Sequence, residues 1–121
     1  MLNDKNRIYG KTKNFSVEDL KVLFRNEKLD YLSVVLLFGS RADGTATRQS
    51  DYDFAVAGDS KDAPFGIQAK SWIDISMLMD VSEYDIDVVD LTCADKLLKS
   101  SIAEQYIILK GEPNEVSRLL G

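Results

Sequence analysis

The chain has 121 residues, 45% of them hydrophobic and only two of them proline, which suits one folded domain and excludes disorder as its general state. A formal charge of −5 argues against general nucleic-acid binding, which depends on Lys and Arg neutralising phosphates. There is no histidine and one cysteine, Cys93, which excludes a Ser-His-Asp triad, a zinc site of the usual His or thiolate kind, and an internal disulfide.

The lone cysteine points to a reducing, cytoplasmic compartment, and Cys93 is expected as a small core residue. No run approaches the ~20 apolar residues of a membrane span, and the polar start MLNDKNR does not resemble a signal peptide. Acid–base work must fall on Asp, Glu, Lys or Tyr. Any metal is expected to be a hard cation held by carboxylates.

Residues 1–15 carry Lys5, Arg7, Lys11 and Lys13 against Asp4 and read as a mobile start. Ser16 is a helix cap, with Glu18 and Asp19 in the first turn and Leu20, Leu23 and Phe24 at helical spacing, so a helix is expected over 16–28. LSVVLLF, Leu32–Phe38, reads as a strand covered on both faces. Residues 39–50 are small and polar and predict a turn with at most a short helix.

A second strand is expected over 53–56, then a loop over 58–64. Phe65, Ala69, Trp72, Ile75 and Met79 predict a helix over 63–80, with Lys70, Ser71 and Asp74 on its outer side and Trp72 and the methionines in the core. IDVVDL at 86–91 is a third strand, and a further helix is expected over 95–104. The Ile pair of Tyr106–Lys110 and the following Gly111 favour a fourth strand over a longer helix. Pro113–Leu120 is expected to add one helical turn. This order gives a single α/β layer with a mixed sheet of about four strands flanked by helices.

The chemistry concentrates in 36–56, LLFGSRADGTATRQSDYDFAV. Asp51 and Asp53 are two apart and share one strand face, with Tyr52 and Phe54 on the other. Two adjacent carboxylates repel, and a divalent cation removes that repulsion. A third acid is sought around IDVVDL, where Asp85, Asp87 and Asp90 compete. Asp87 is preferred because it lies inside the apolar run, and without histidine it is also the best general-base candidate. Gly39 lets the backbone approach a ligand, and Ser40 and the amides beyond can face a phosphate. Arg41, Arg48 and Lys61 are cations that could offset negative charge.

FGSRADGTATRQSDYDFAV resembles the GSX10DXD signature of the minimal nucleotidyltransferases, within the polymerase β-like nucleotidyltransferase superfamily, and IDVVDL resembles their third-acid strand. The signature and that strand together cover about a fifth of the chain. The resemblance implies a single-domain nucleotidyltransferase fold over 1–121 and transfer of a nucleoside monophosphate from a triphosphate, usually ATP, with Mg²⁺, two ions in the fullest form. It implies Gly39 and Ser40 as the phosphate-contacting pair and Asp51, Asp53 and Asp87 as the metal-binding and catalytic acids. Asp43 departs from the basic residue common there. Small members of the family act as antitoxins paired with HEPN-domain ribonucleases and attach AMP to a toxin tyrosine. A chain without an added substrate domain is expected to borrow its acceptor surface from a protein partner. The competing expectations are a degenerate relative that neutralises a toxin by covering it, and a nucleotidyltransferase acting on a small molecule.

Overall fold

The computed structural model describes residues 14–47 and 50–121. Of residues 1–15, expected as a mobile start, residues 1–13 lie outside the described residues, as does Arg48, whereas Phe15 packs edge-on against the Tyr52 ring. Among the described residues five helices alternate with four strands in the expected order: α1 (Val17–Leu23), β1 (Leu32–Phe38), α2 (Ser40–Asp43), β2 (Tyr52–Gly58), α3 (Ile67–Met79), β3 (Ile86–Asp90), α4 (Lys96–Glu104), β4 (Tyr106–Lys110) and α5 (Pro113–Leu120). The sheet order is β3-β2-β1-β4. β1 runs antiparallel to β2 and β4, whereas β2 and β3 are parallel, so the sheet is mixed as expected.

β1 is central, and its near-continuous apolar sequence follows from that place. Val35 and Leu37 join Tyr52, Phe54, Val56, Ile86 and Val88 under α1 and α3. Val34 and Leu36 join Ala55, Ala57 and Leu91 against Ile102 and Val116 of α4 and α5. β2 has aromatic residues on the first face and Asp53 on the second. A one-residue slip would exchange them and drive a carboxylate into the aromatic core, so the pattern fixes this register.

The helix ends have local causes. Ser16 accepts from the Asp19 amide at 3.0 Å while Asp19 Oδ2 accepts from the Ser16 amide at 3.1 Å, closing a capping box. The helix stops earlier than expected, and a separate 3₁₀ turn, Glu27–Leu29, starts under an Asn26 cap. α3 starts at Ile67 instead of 63, because Gly66 takes φ +95° just after Pro64. α5 has eight residues, about two turns, with proline at its start.

The face of α3 is also rotated from the expected one. Its buried edge is Ile67, Ser71, Ile75 and Met79, while Phe65 is 90% exposed. Ser71 replaces the missing apolar contact by donating its hydroxyl to the Ile67 carbonyl at 2.5 Å. Trp72 is only half-buried and donates Nε1–H to the Glu83 carbonyl at 3.0 Å. Met77 and Cys93 are exposed, not core. Among the described residues no helix is long and apolar enough to cross a membrane.

Candidate active site

The site begins where β1 ends. Gly39 takes φ +76° and ψ −157°, a conformation open to glycine and few others. A β-carbon there would fall on Oδ2 of Asp53, so the turn and the carboxylate lie against each other. The Gly39 carbonyl then accepts from the Ala42 and Asp43 amides at 2.9 and 3.1 Å, starting the short α2, of which Ser40 is the first residue. Asp43 closes the exit of this turn by accepting from the Thr45 amide and hydroxyl at 2.9 and 2.6 Å. Those bonds, the hydroxyl first, hold its carboxyl below the usual carboxylate range.

β2 and β3 bring the acids together. Asp53 and Asp87 are register partners on neighbouring parallel strands, so their side chains share a face. Asp51 immediately precedes β2 and is exposed. Asp53 is half-buried. Burial, then the charges of Asp87 and Asp51, push its carboxyl up to about 6. Across β1 the same row continues through Phe38 and Tyr106, which pack on the apolar cluster beneath α4 and α5. The acids therefore stand at the open edge of that cluster.

Asp87 is embedded in an apolar run yet exposed in space, because β3 is an edge strand and the sheet is uncovered above it. Asp85 is instead buried in a 3₁₀ turn, Glu83–Asp85, where strand parity does not apply. Asp90 pairs with Val56 near the far end of β2. Lys61 follows β2 beyond Gly58, which pairs with Leu32 at the opposite end of the sheet, so it does not serve the acids. The hollow lined by Gly66, Gln68, Asp90 and Cys93 has none of Asp51, Asp53 and Asp87 in its lining.

Arg41 has a role that no spacing rule in the sequence indicates. Its Nε and Nη2 both donate to the Ser50 carbonyl, at 3.2 and 2.8 Å, and Nη1 donates to Asn14 Oδ1 at 3.2 Å. Its guanidinium lies 4.0 Å from the centre of the Tyr52 ring. Arg41 thus ties the turn after Gly39 to the segment that carries Asp51. Tyr52 is the matching anchor below: it stacks on Phe54 and accepts the Phe15 amide on its hydroxyl at 2.7 Å.

Asp53 and Asp87 on one face, with Asp51 just ahead of β2, form an oxygen donor set that suits a hard divalent cation, and burial followed by the charges of Asp87 and Asp51 raises the Asp53 carboxyl. Among the described residues no three acidic or cysteine side chains are already arranged to hold a metal ion.

A family model described as polymerase beta, nucleotidyltransferase, matches residues 18–115. The chain belongs to the polymerase β nucleotidyltransferase family. The family expected from GSX10DXD and the mixed-sheet fold are both borne out. Within the family, the chain is similar to the protein adenylyltransferase MntA of Aphanizomenon flos-aquae (strain 2012/KM1/D3), at 31% identity over 94 residues. That match covers 73% of this chain and 63% of the relative, so the chain spans less than two-thirds of the relative's length. Its fold is similar to that in a crystal structure of a toxin–antitoxin with AMP-PNP, with a TM-score of 0.64, 26% identity, and coverage of 88% of this chain and 82% of that one. A structure of a tri-AMPylated Shewanella oneidensis HEPN toxin in complex with MNT antitoxin shares the fold at a TM-score of 0.56 and 22% identity, covering 86% and 76% of the two chains.

Proposed function

We propose that this nucleotidyltransferase is a Mg²⁺-dependent protein adenylyltransferase. It acts in the cytoplasm as an antitoxin, transferring AMP from ATP to a tyrosine of a HEPN ribonuclease toxin. The observation that carries the reading is the meeting of Gly39, Asp53 and Asp87 at one end of the sheet. The similarity to a protein named adenylyltransferase supports the reaction class, and the AMP-PNP-bound toxin–antitoxin neighbour supports the nucleotide and the setting.

In this reading the amides at Gly39 and Ser40 receive the triphosphate. Asp51, Asp53 and Asp87 would hold Mg²⁺, two ions in the fullest form, which when bound neutralises the carboxylates and stabilises charge on the transferring and leaving phosphates. Asp87, exposed on the edge strand, takes the proton from the tyrosine hydroxyl. The phenolic oxygen bonds to the α-phosphorus, the bond to the β-phosphate oxygen breaks, and pyrophosphate leaves. The acid edge is open, so the acceptor and its surroundings come from the partner.

Intact-mass spectrometry tests this directly. The chain is incubated with ATP, Mg²⁺ and the protein encoded beside it, and that protein is weighed. One or more added AMP units that vanish with Asp53→Ala support transfer. A second reading, neutralisation by covering the toxin, is favoured by one observation: the acids are not arranged as a metal cage among the described residues. It predicts protection without a mass change.

A further inference from the structure

The outer side of α3 carries an apolar strip that the fold does not use. Phe65, Ala69, Ile73 and Met77 recur every four residues, and Phe65, Ile73 and Met77 are 90%, 48% and 73% exposed. Tyr84, at 91% exposure, continues the row beyond the helix end. Phe65, Ala69 and Ile73 line one hollow, and Met77 and Tyr84 a second. At 1.5 Å per helical residue the row from Ala69 to Met77 is about 12 Å long, and Phe65 extends it ahead of the helix start at Ile67. Scattered exposed apolar residues are ordinary, but a contiguous row marks a contact surface. Methionine and aromatic side chains suit one that adapts to a partner.

The charges beside the strip select its occupant. Asp62 and Asp74 line the first hollow, and Asp80 and Glu83 the second. Among the described residues lining either hollow the one cation is Lys70, whose Nζ is already 3.8 Å from Asp74. A second copy docked on this strip would bring acids against acids. An anionic membrane surface or a nucleic acid is disfavoured on the same ground. We infer that the strip is the docking surface for a basic amphipathic helix of a partner protein, its apolar side on Phe65, Ile73 and Met77 and its Lys or Arg residues on the flanking acids. α3 packs on the sheet face opposite Asp53, so a protein held here leaves the acid edge open. The inference extends the proposed function by giving the protein substrate a second point of attachment.

The test uses the full chain and a synthetic helix-forming peptide of about five turns, leucine on one side and lysine on the other, with a glutamate-for-lysine peptide as control. Calorimetry is expected to show binding of the lysine peptide that weakens with salt, and none of the glutamate peptide. Ile73→Ser with Met77→Ser is expected to weaken binding about 10-fold or more, and Asp80→Asn with Glu83→Gln about 5-fold. These positions are exposed, and thermal melting checks that the variants fold. Equal binding by wild type and the serine variant overturns the inference, as does no binding at all. Sedimentation showing a dimer that the serine variant abolishes also overturns it, in favour of a second copy. Failure of AMP transfer leaves every one of these outcomes readable, so the two proposals fail separately.

Discussion

Gly39 and Asp53 are in contact across the end of the sheet: a β-carbon on Gly39 would occupy the place of Asp53 Oδ2, and Gly39 itself sits at φ +76°. The turn that ends β1 and the carboxylate that begins β2 therefore constrain each other. The expected result of Gly39→Ala is a stability loss of about 1–3 kcal/mol from backbone strain. AMP transfer should fall about 100-fold or more as Asp53 is displaced. Gly44→Ala is the control, because Gly44 also has positive φ but nothing lies within 4 Å of its added carbon. It should cost about 1 kcal/mol and spare most of the transfer. Urea melts and single-turnover mass spectrometry measure both.

The acids also predict how stability depends on pH. Asp53 in the fold titrates at about 6, above its ordinary 3.8, through burial and then the charges of Asp87 and Asp51. Below pH ~4 it is protonated in both folded and unfolded chains and costs nothing. Between pH ~4 and ~6 the unfolded chain releases this proton first, so this residue's contribution to stability falls as pH rises, and the loss is complete above ~6. Asp53→Asn should remove that dependence. In chelator at pH 7.5 the variant should be more stable than wild type by about 1 kcal/mol, a value reduced for the half-exposed position, although transfer is lost. Added Mg²⁺ should raise the wild-type melting midpoint more at pH 7.5 than at pH 5 and leave that of the Asn variant nearly unchanged.

Much of this arrangement was legible in the sequence. The LSVVLLF run gave a central strand because apolar residues on both faces have no other stable place. Parity placed Asp53 opposite the Tyr52–Phe54 face, and the run around Asp87 located the neighbouring strand. What stayed hidden depended on geometry between elements. The apolar ladder through Phe65 and Trp72 looked helical, but Gly66 delayed the helix and turned Ser71 inward. Asp87 lies inside an apolar run, but sequence context does not reveal that its strand is an edge, which leaves the side chain exposed. Cys93 looked like core because burial at a strand exit depends on what folds over it.

Arg41 is the largest such omission, and its role as a positioning residue can be tested. Two N–H groups on the Ser50 carbonyl and stacking on Tyr52 both need a planar guanidinium. Arg41→Lys should therefore behave like Arg41→Ala. Each is expected to weaken Mn²⁺ binding, followed by electron paramagnetic resonance, about 10-fold while the melting midpoint moves by only a few degrees. If lysine restores metal binding, charge alone was at work and the strut is dispensable.

Tyr52 separates what the aromatic face does from what the acid face does. Its hydroxyl accepts the Phe15 amide at 2.7 Å on the side of the sheet away from Asp53. Tyr52→Phe keeps the ring on Phe54 and under Arg41 but takes that acceptor from the Phe15 N–H. The expected cost is about 1–2 kcal/mol, read as a lower urea midpoint with an unchanged slope. AMP transfer should stay within about 2-fold of wild type under conditions where both remain folded, since a small loss of stability leaves the native fraction near unity. A fall in transfer of about 100-fold with a small stability change would mean that the hydroxyl contributes to the acid edge through β2, and that the two faces are not independent.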